Sequence, residues 1–283
     1  MSATEFKKLE TAWCPGCGNF GILDSLKLAL EALGKDPHEV VIVGGIGQAA
    51  KTPQYLRANS FCGLHGRALP PAVAMKMANP NLTVIINTGD GDSYGEGGNH
   101  FLHNIRRNVD ITHFVHDNQV YGLTKGQSSP TTLEGMVTDA QAEGSQNTPF
   151  NPVLIALVAG AGFVARGFSG KPEHLQMLME RAISYKGYAL VDIFQPCVSF
   201  NKLNTFAWYN QRVYELDKSH DTRDRMGAMR RAKEFGDRIP IGVLFEEERP
   251  TFHEKNSSLK EGQVLAGRKN DPMLLNKLMR AMV

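Results

Sequence analysis

Apolar residues in this chain fall into two kinds of run. Short continuous blocks, Val40 to Val43, Leu82 to Asn87, Ile111 to His116, Phe163 to Ala165 and Ala189 to Phe194, read as buried strands. Periodic stretches between them predict helices. The first carries Phe20, Ile22, Leu23, Leu26, Leu28, Leu30 and Leu33 and stops at Gly34; others cover Ala68 to Ala78, Gly95 to Asn108, Pro152 to Gly160 and Lys171 to Tyr185. In the last, His174, Leu175, Leu178, Met179 and Ala182 fall on the inward face. About five strands alternating with helices predict an α/β fold, a doubly wound parallel sheet. After Val198 the pattern changes, with an aromatic and polar stretch from Asn201 to Glu215, a charged helix from His220 to Phe235, a short strand from Ile239 to Phe245 and a last amphipathic helix from Asp271 to Val283. Residues 1–199 thus read as one domain and 200–283 as an extension packing on it or on another subunit. The alternating signs around Arg223, Arg225, Arg230, Arg231 and Lys233 indicate a solvated face.

In such a sheet, ligands bind beyond the carboxyl ends of the strands. Gly45, Cys62, Asp90, Asn118 and Cys197 all follow a strand or precede a helix. Thr88-Gly89-Asp90-Gly91-Asp92 and Asp117-Asn118-Gln119-Val120 end two strands joined through the Gly95 to Asn108 helix, so a right-handed crossover sets Asp90 and Asn118 facing each other. A carboxylate, an amide oxygen and a backbone carbonyl from the loop after Asn118 make a half-shell of hard oxygens that suits Mg²⁺ and leaves positions for phosphate and water. The helix after Gly95 aims its positive end at the same place. Gly45-x-Gly47-x-x-Ala50 is a weak dinucleotide match lacking its acidic partner downstream, and a tight glycine turn serving another site explains it better. Cys62 and His65 are placed in the loop before Ala68, where His65 is either an ordinary loop histidine or a cofactor contact. The polar segment from Val120 to Thr132 reads as a functional loop bordering the metal, with Lys125 either part of it or simply a solvated charge.

A net charge of +2 with interspersed signs gives no sign of a nucleic-acid surface, which would need clustered positive charge. The longest apolar stretch, Val153 to Ala165, is too short for a membrane span, and Met1 to Ala12 lacks an apolar signal core; a soluble, cytoplasmic chain is expected. Four cysteines, Cys14, Cys17, Cys62 and Cys197, then point to metal or redox chemistry and not to a disulfide framework. Cys14-Pro15-Gly16-Cys17 stands at a helix start, where the dipole favours thiolates. No strand precedes it, which argues against a disulfide oxidoreductase. A four-thiolate site is accepted by both zinc and a 4Fe-4S cluster, although one pair with two distant singles is not the knuckle spacing of structural zinc.

The Gly-Asp-Gly with a downstream Asn resembles the thiamine diphosphate motif of the thiamine enzymes, the alternative being an ordinary Gly-Asp turn with an Asn cap in a nucleotide-type fold. Further motifs narrow this: Cys14-Pro15-Gly16-Cys17-Gly18, His65-Gly66-Arg67-Ala68, Gly89-Asp90-Gly91-Asp92, Gly97-Gly98-Asn99-His100, Arg106-Arg107-Asn108, Asp117-Asn118 and Tyr121-Gly122-Leu123-Thr124-Lys125-Gly126-Gln127. Over roughly residues 12 to 200 the chain is similar to the β subunit of the 2-oxoacid:ferredoxin oxidoreductases. The resemblance implies thiamine diphosphate, Mg²⁺ and one 4Fe-4S cluster. It implies CoA-dependent oxidative decarboxylation of a 2-oxoacid with ferredoxin as acceptor, and an α subunit, as αβ or α2β2, that supplies an activating Glu and substrate contacts. On this reading Asp90, Asn118 and the Val120 carbonyl hold Mg²⁺. Asp92 and the Gly95 to Gly98 turn shape the diphosphate pocket, Gly89, Gly91 and Gly122 contribute to cofactor binding, Gly45, Gly47 and His65 border the cofactor, and Leu123, Thr124 and Lys125 face the reacting end. Many members carry a cysteine in the early glycine turn where this chain has Gln48, so the third cluster ligand is assigned by count to Cys62, beside Cys14, Cys17 and Cys197. Pyruvate, 2-oxoglutarate and branched-chain 2-oxoacids all stay open as substrates, with the two-subunit style and the Lys125 loop leaning to 2-oxoglutarate or a broad range. Competing readings are a non-redox thiamine decarboxylase or carboligase subunit with structural zinc, and a non-catalytic metal-binding scaffold.

Overall fold

Every apolar block of the sequence becomes a strand. The computed structural model describes residues 5–256, 259, 264–267 and 271–282; Val283, at the end of the predicted last helix, and residues 1–4 of the N-terminal arm lie outside the described residues. In chain order the elements are α1 (Asn19–Ala32), β1 (Val40–Gly44), α2 (Thr52–Tyr55), β2 (Asn59–Cys62), α3 (Leu69–Ala78), β3 (Thr83–Gly89), α4 (Gly98–Arg107), β4 (Ile111–Asp117), β5 (Val120–Tyr121), β6 (Gln127–Ser128), α5 (Pro152–Val158), β7 (Phe163–Phe168), α6 (Pro172–Ser184), β8 (Tyr188–Phe194), α7 (Phe206–Asn210), β9 (Val213–Glu215), α8 (Arg225–Ala232), β10 (Ile239–Glu246), α9 (Phe252–Lys255) and α10 (Pro272–Ala281).

An 8-stranded sheet runs in the order β2-β1-β3-β4-β8-β7-β10-β9. The six strands from β2 to β7 are mutually parallel, while β10 is antiparallel to β7 and carries β9 parallel to itself. Both faces are covered, as parallel strands require. On one side α1 and α6 pack Ile22, Leu26, Leu30, Leu175 and Met179 onto the sheet. On the other, α4, α5 and α8 contribute Phe101, Ile105, Val153, Leu157 and Ala228. β4 and β8, between these layers, are buried along their whole length. The chain after residue 199 adds β9 and β10 to the sheet, with Ile239 and Ile241 packing under Phe168, Phe194 and Tyr209. The apolar stretch from Val153 divides between α5 and β7, and among the described residues no helix is long and apolar enough to cross a membrane.

The structure departs from the sequence reading in four places. Residues 59–62, placed above in a loop, form the edge strand β2, whose side chains are all exposed. No apolar period marks it, because its backbone pairs with β1 and the Asn59 side chain donates to the carbonyls of Pro37, His38 and Val40. The helix expected from Gly95 is instead a π-helical turn at Gly91–Glu96 followed by α4, ending at Asn108 in the left-handed conformation. The charged helix shrinks to α8, because Asp217 and Asp221 accept from the backbone N–H groups of Ser219 and Arg223 and hold turns before it. His174 is only half-buried, unlike the other four inward residues of α6.

Candidate active site

β3 and β4 are adjacent and parallel, so Gly89-Asp90 and Asp117-Asn118 leave the sheet side by side. The β5–β6 hairpin follows Asn118, and the turn after β1 and the loop after β2 close the other wall. Of the residues singled out above, Gly47, His65, Gly89, Asp90, Gly91, Asp92, Asn118, Val120, Gly122, Leu123 and Thr124 line one cleft, together with Ile46, Gln48, Ala49 and Tyr121. Lys125 lies exposed beyond it at φ 76. Gly45 lies behind Asp92: a Cβ there would sit 2.0 Å from Asp92 Oδ2. Gly91 plays the same part for Tyr121, whose ring would be 2.2 Å from an added Cβ.

Asp90 is 2% exposed, and among the described residues no lysine, arginine or histidine pairs with it. Burial raises its pKa above the usual carboxylate value. A buried carboxylate of this kind calls for a cation or a proton. Thr131 Oγ1 lies 2.7 Å from Asp90 Oδ2 and 2.7 Å from Asp117 Oδ1. A hydroxyl donates only once, so Thr131 is shared between the two carboxyls; burial, and then the Asp192 and Asp90 charges, push the Asp117 carboxyl well up. Asn118 is oriented from both ends, its Oδ1 accepting from Val120 N–H at 3.1 Å and its Nδ2 donating to Gln195 Oε1 at 3.2 Å. Asp90, the amide oxygen of Asn118 and the carbonyl of Val120 thus offer the hard oxygens a small divalent cation takes.

Asp92 acts as a clamp. Its Oδ1 accepts from Gly66 N–H at 2.7 Å, from Ile46 N–H at 3.2 Å and from His65 Nδ1 at 2.8 Å. The carboxylate thereby ties two walls of the cleft together and fixes the imidazole through one nitrogen.

The cysteines divide. Cys17 N–H donates to the Cys14 carbonyl, closing a tight turn that leans on the chain after β8, where Gly18 N–H reaches the Pro196 carbonyl and Ser199 Oγ reaches Cys14 Sγ at 3.3 Å. Gln195 Nε2 stands 3.5 Å from Cys17 Sγ, and Phe200 N–H 3.4 Å from Cys197 Sγ. Burial, and then the neighbouring Cys197 and Cys14, push the Cys17 thiol up to about 11, outweighing the helix start that was expected to favour its thiolate. Cys62 is exposed at the end of β2, four strand intervals from β8, or roughly 19 Å. The structure therefore gathers Cys14, Cys17 and Cys197 and leaves Cys62 apart. Among the described residues, no three His, Cys, Asp or Glu side chains are grouped closely enough to hold a single metal ion.

Comparison with known proteins agrees with this geometry. Residues 42–193 match the family model described as thiamine pyrophosphate enzyme, C-terminal TPP binding domain, and residues 197–261 match the model for the C-terminal part of the pyruvate ferredoxin oxidoreductase beta chain. The β subunit of 2-oxoacid:ferredoxin oxidoreductase from Saccharolobus solfataricus is 44% identical over 256 residues, covering 86% of this chain and 84% of the relative. The chain is a β subunit of the 2-oxoacid:ferredoxin oxidoreductase family. Within that family, the 2-oxoglutarate oxidoreductase subunit KorB of Mycobacterium tuberculosis is 42% identical over 68% of this chain and 52% of its own length. A solved 2-oxoglutarate:ferredoxin oxidoreductase from Magnetococcus marinus, with 2-oxoglutarate, coenzyme A and succinyl-CoA bound, superposes with a TM-score of 0.91 at 36% identity, covering 99% of this chain and 94% of that one. The protein is thus an oxidoreductase subunit with a thiamine diphosphate-binding fold.

Sequence reasoning missed Thr131, Gln195 and the buried group formed by Arg166 and Asp192. Arg166 and Asp192 face each other across β7 and β8, both nearly inaccessible, and Tyr94 donates to Asp192 at 2.7 Å. Burial raises Asp192 to about 6. Asp192 lies inside the Ala189 to Phe194 run that reads as apolar, and Arg166 follows directly on the run Phe163 to Ala165, which β7 extends to Phe168; a charged residue in or beside each of two buried strands was the available signal.

Proposed function

We propose that this chain, with an α subunit, catalyses CoA-dependent oxidative decarboxylation of a 2-oxoacid, 2-oxoglutarate first among them, to the acyl-CoA and CO₂, passing electrons to ferredoxin. The observation carrying the reading is Asp90, a buried carboxylate without a cationic partner among the described residues, beside Asn118 and the Val120 carbonyl at the sheet edge. These three would hold Mg²⁺ and through it the diphosphate of thiamine diphosphate. When bound, that cofactor supplies the electron sink for loss of CO₂. Gly47 and Gly89 allow close backbone approach, and Leu123 and Thr124 border the reacting end. His65, fixed through Nδ1 by Asp92, turns its ring into the cleft as a cofactor contact. Lys125, at the exposed rim, supplies positive charge for the second carboxylate of a dicarboxylic substrate. Cys14, Cys17 and Cys197 are where an iron–sulfur cluster would be held, a one-electron carrier when present. The activating Glu is assigned to the α subunit, so this chain alone is inactive, and the pair works in the cytoplasm.

The test is Asp90→Ala in the co-purified complex. Thiamine diphosphate content should fall to background while far-UV circular dichroism stays parental. A variant retaining the parental cofactor content refutes the assignment. Succinyl-CoA formation from 2-oxoglutarate, with ferredoxin reduction measured against pyruvate in parallel, tests the substrate.

A further inference from the structure

We infer that this chain carries a second ligand site, a cavity beside the cofactor cleft that takes an apolar α-amino acid, its carboxylate on Arg166, its ammonium against Asp192 and Gln119, and its side chain among phenylalanines.

The cavity has a volume of about 200 Å³ and lies where β4, β8 and β7 leave the sheet, beneath the start of α5 and the end of α8. It shares no lining residue with the cofactor cleft, and Asp117 and Thr131 stand between it and Asp90. Its floor is polar and buried, formed by Arg166, Asp192, Asp117 and Gln119. Its mouth is apolar, with Leu133 and Phe150 half-buried and Phe235 exposed.

Charges of both signs face this space without pairing directly. Arg166 Nη2 donates to the Ala232 carbonyl at 3.1 Å, but its Nε and Nη1 are buried without a hydrogen-bond partner. Among the described residues, no carboxylate ion-pairs with that guanidinium, and no cation with Asp192 or Asp117. Asp192 takes only the Tyr94 hydroxyl, at 2.7 Å, and Asp117 shares that of Thr131. Gln119 Oε1 is buried without a partner as well, on a backbone held at φ 60. Buried polar groups left in this state are costly, and a ligand that completes them is favoured accordingly. A simple anion would satisfy Arg166 and be repelled by the two carboxyls, and a simple amine would do the reverse. A zwitterion answers both, with charge-assisted hydrogen bonds at each end. The polar floor takes the head group and the apolar mouth the side chain. A cavity of about 150 Å³ holds benzene, so this one has room for a branched side chain with its head group.

The test is calorimetric titration of the co-purified αβ complex with L-leucine, with isocaproate, which keeps only the carboxylate, and with isoamylamine, which keeps only the ammonium. Leucine should bind saturably, and each single-headed analogue should bind about tenfold more weakly or worse, the cost of losing a hydrogen bond to a charged group. Arg166→Met should weaken leucine binding by at least that factor. Leu133→Trp should do so too, since it closes the mouth from a half-buried position while leaving the charged floor intact, and it keeps the test standing where loss of Arg166 unfolds the chain. Absence of saturable leucine binding overturns the site, as does isocaproate or isoamylamine binding as tightly as leucine. Leucine binding undiminished in Leu133→Trp puts the ligand elsewhere and overturns the assignment.

Discussion

Removing the Asp92 carboxylate tests whether the cleft is held open by one side chain. Asp92 is 3% exposed, and its Oδ1 is the acceptor for the N–H groups of Ile46 and Gly66 as well as for His65. In Asp92→Ala both backbone donors lose their partner. At about 1–3 kcal/mol for each buried unsatisfied group, the loss is roughly 2–6 kcal/mol. His65 is left out of the sum because its side chain is 39% exposed. Asp92→Asn keeps one acceptor oxygen but sets an amide nitrogen against Gly45, for a smaller cost of about 1–2 kcal/mol. The two walls carry Ile46, Gly47 and His65 into the cleft, so part of the loss appears as weaker cofactor binding. If about half of it does, thiamine diphosphate affinity falls about 5–150-fold in the alanine variant. Calorimetric titration with thiamine diphosphate and Mg²⁺, alongside urea unfolding of the same complex, reads both quantities. An alanine variant with parental affinity and parental urea midpoint would refute the clamp.

Two further substitutions probe the same architecture. Gly45→Ala drives a methyl group to 2.0 Å from Asp92 Oδ2, so it should cost about 1–3 kcal/mol in urea unfolding, and Gly45→Ala combined with Asp92→Ala should cost less than the sum. His113 is fully buried between Thr88 and Tyr188, and burial holds its pKa at about 3. Between that value and its unfolded value near 6.5, the unfolded chain binds one more proton at this site, so stability falls as pH falls. His113→Gln should flatten the stability–pH slope in that window by ~1.4 kcal/mol per pH unit, and an unchanged slope would show that His113 takes a proton in the folded state.

The sheet was legible because its strands are buried on both faces and therefore read as apolar blocks. β2 was not, since an edge strand with exposed Asn59, Ser60, Phe61 and Cys62 is held by backbone pairing, which leaves no mark on side-chain pattern. Asp90 and Asn118 were found because parallel topology forces consecutive strand ends together. Thr131 comes from a long loop whose path no periodicity encodes, and Gln195 from the first residue after β8. Cys62 stands at the end of an edge strand, and a count of thiols carries no information about where along the sheet edge each one falls.

Gln195 touches both halves of the site. Its Oε1 accepts from Asn118 and its Nε2 reaches Cys17, so a single buried carboxamide spans the end of β4 and the thiol turn. On the proposed function, a cation at one end of this bridge and a group held by the thiols at the other would load cooperatively, since whichever arrives first fixes the amide for the second. Because binding linkage is reciprocal, any factor by which loading the thiols tightens cation retention is the factor by which the cation must tighten the thiol site. A preparation stripped of one should therefore shed the other sooner, and restoring the two together should succeed where adding them one at a time falls short.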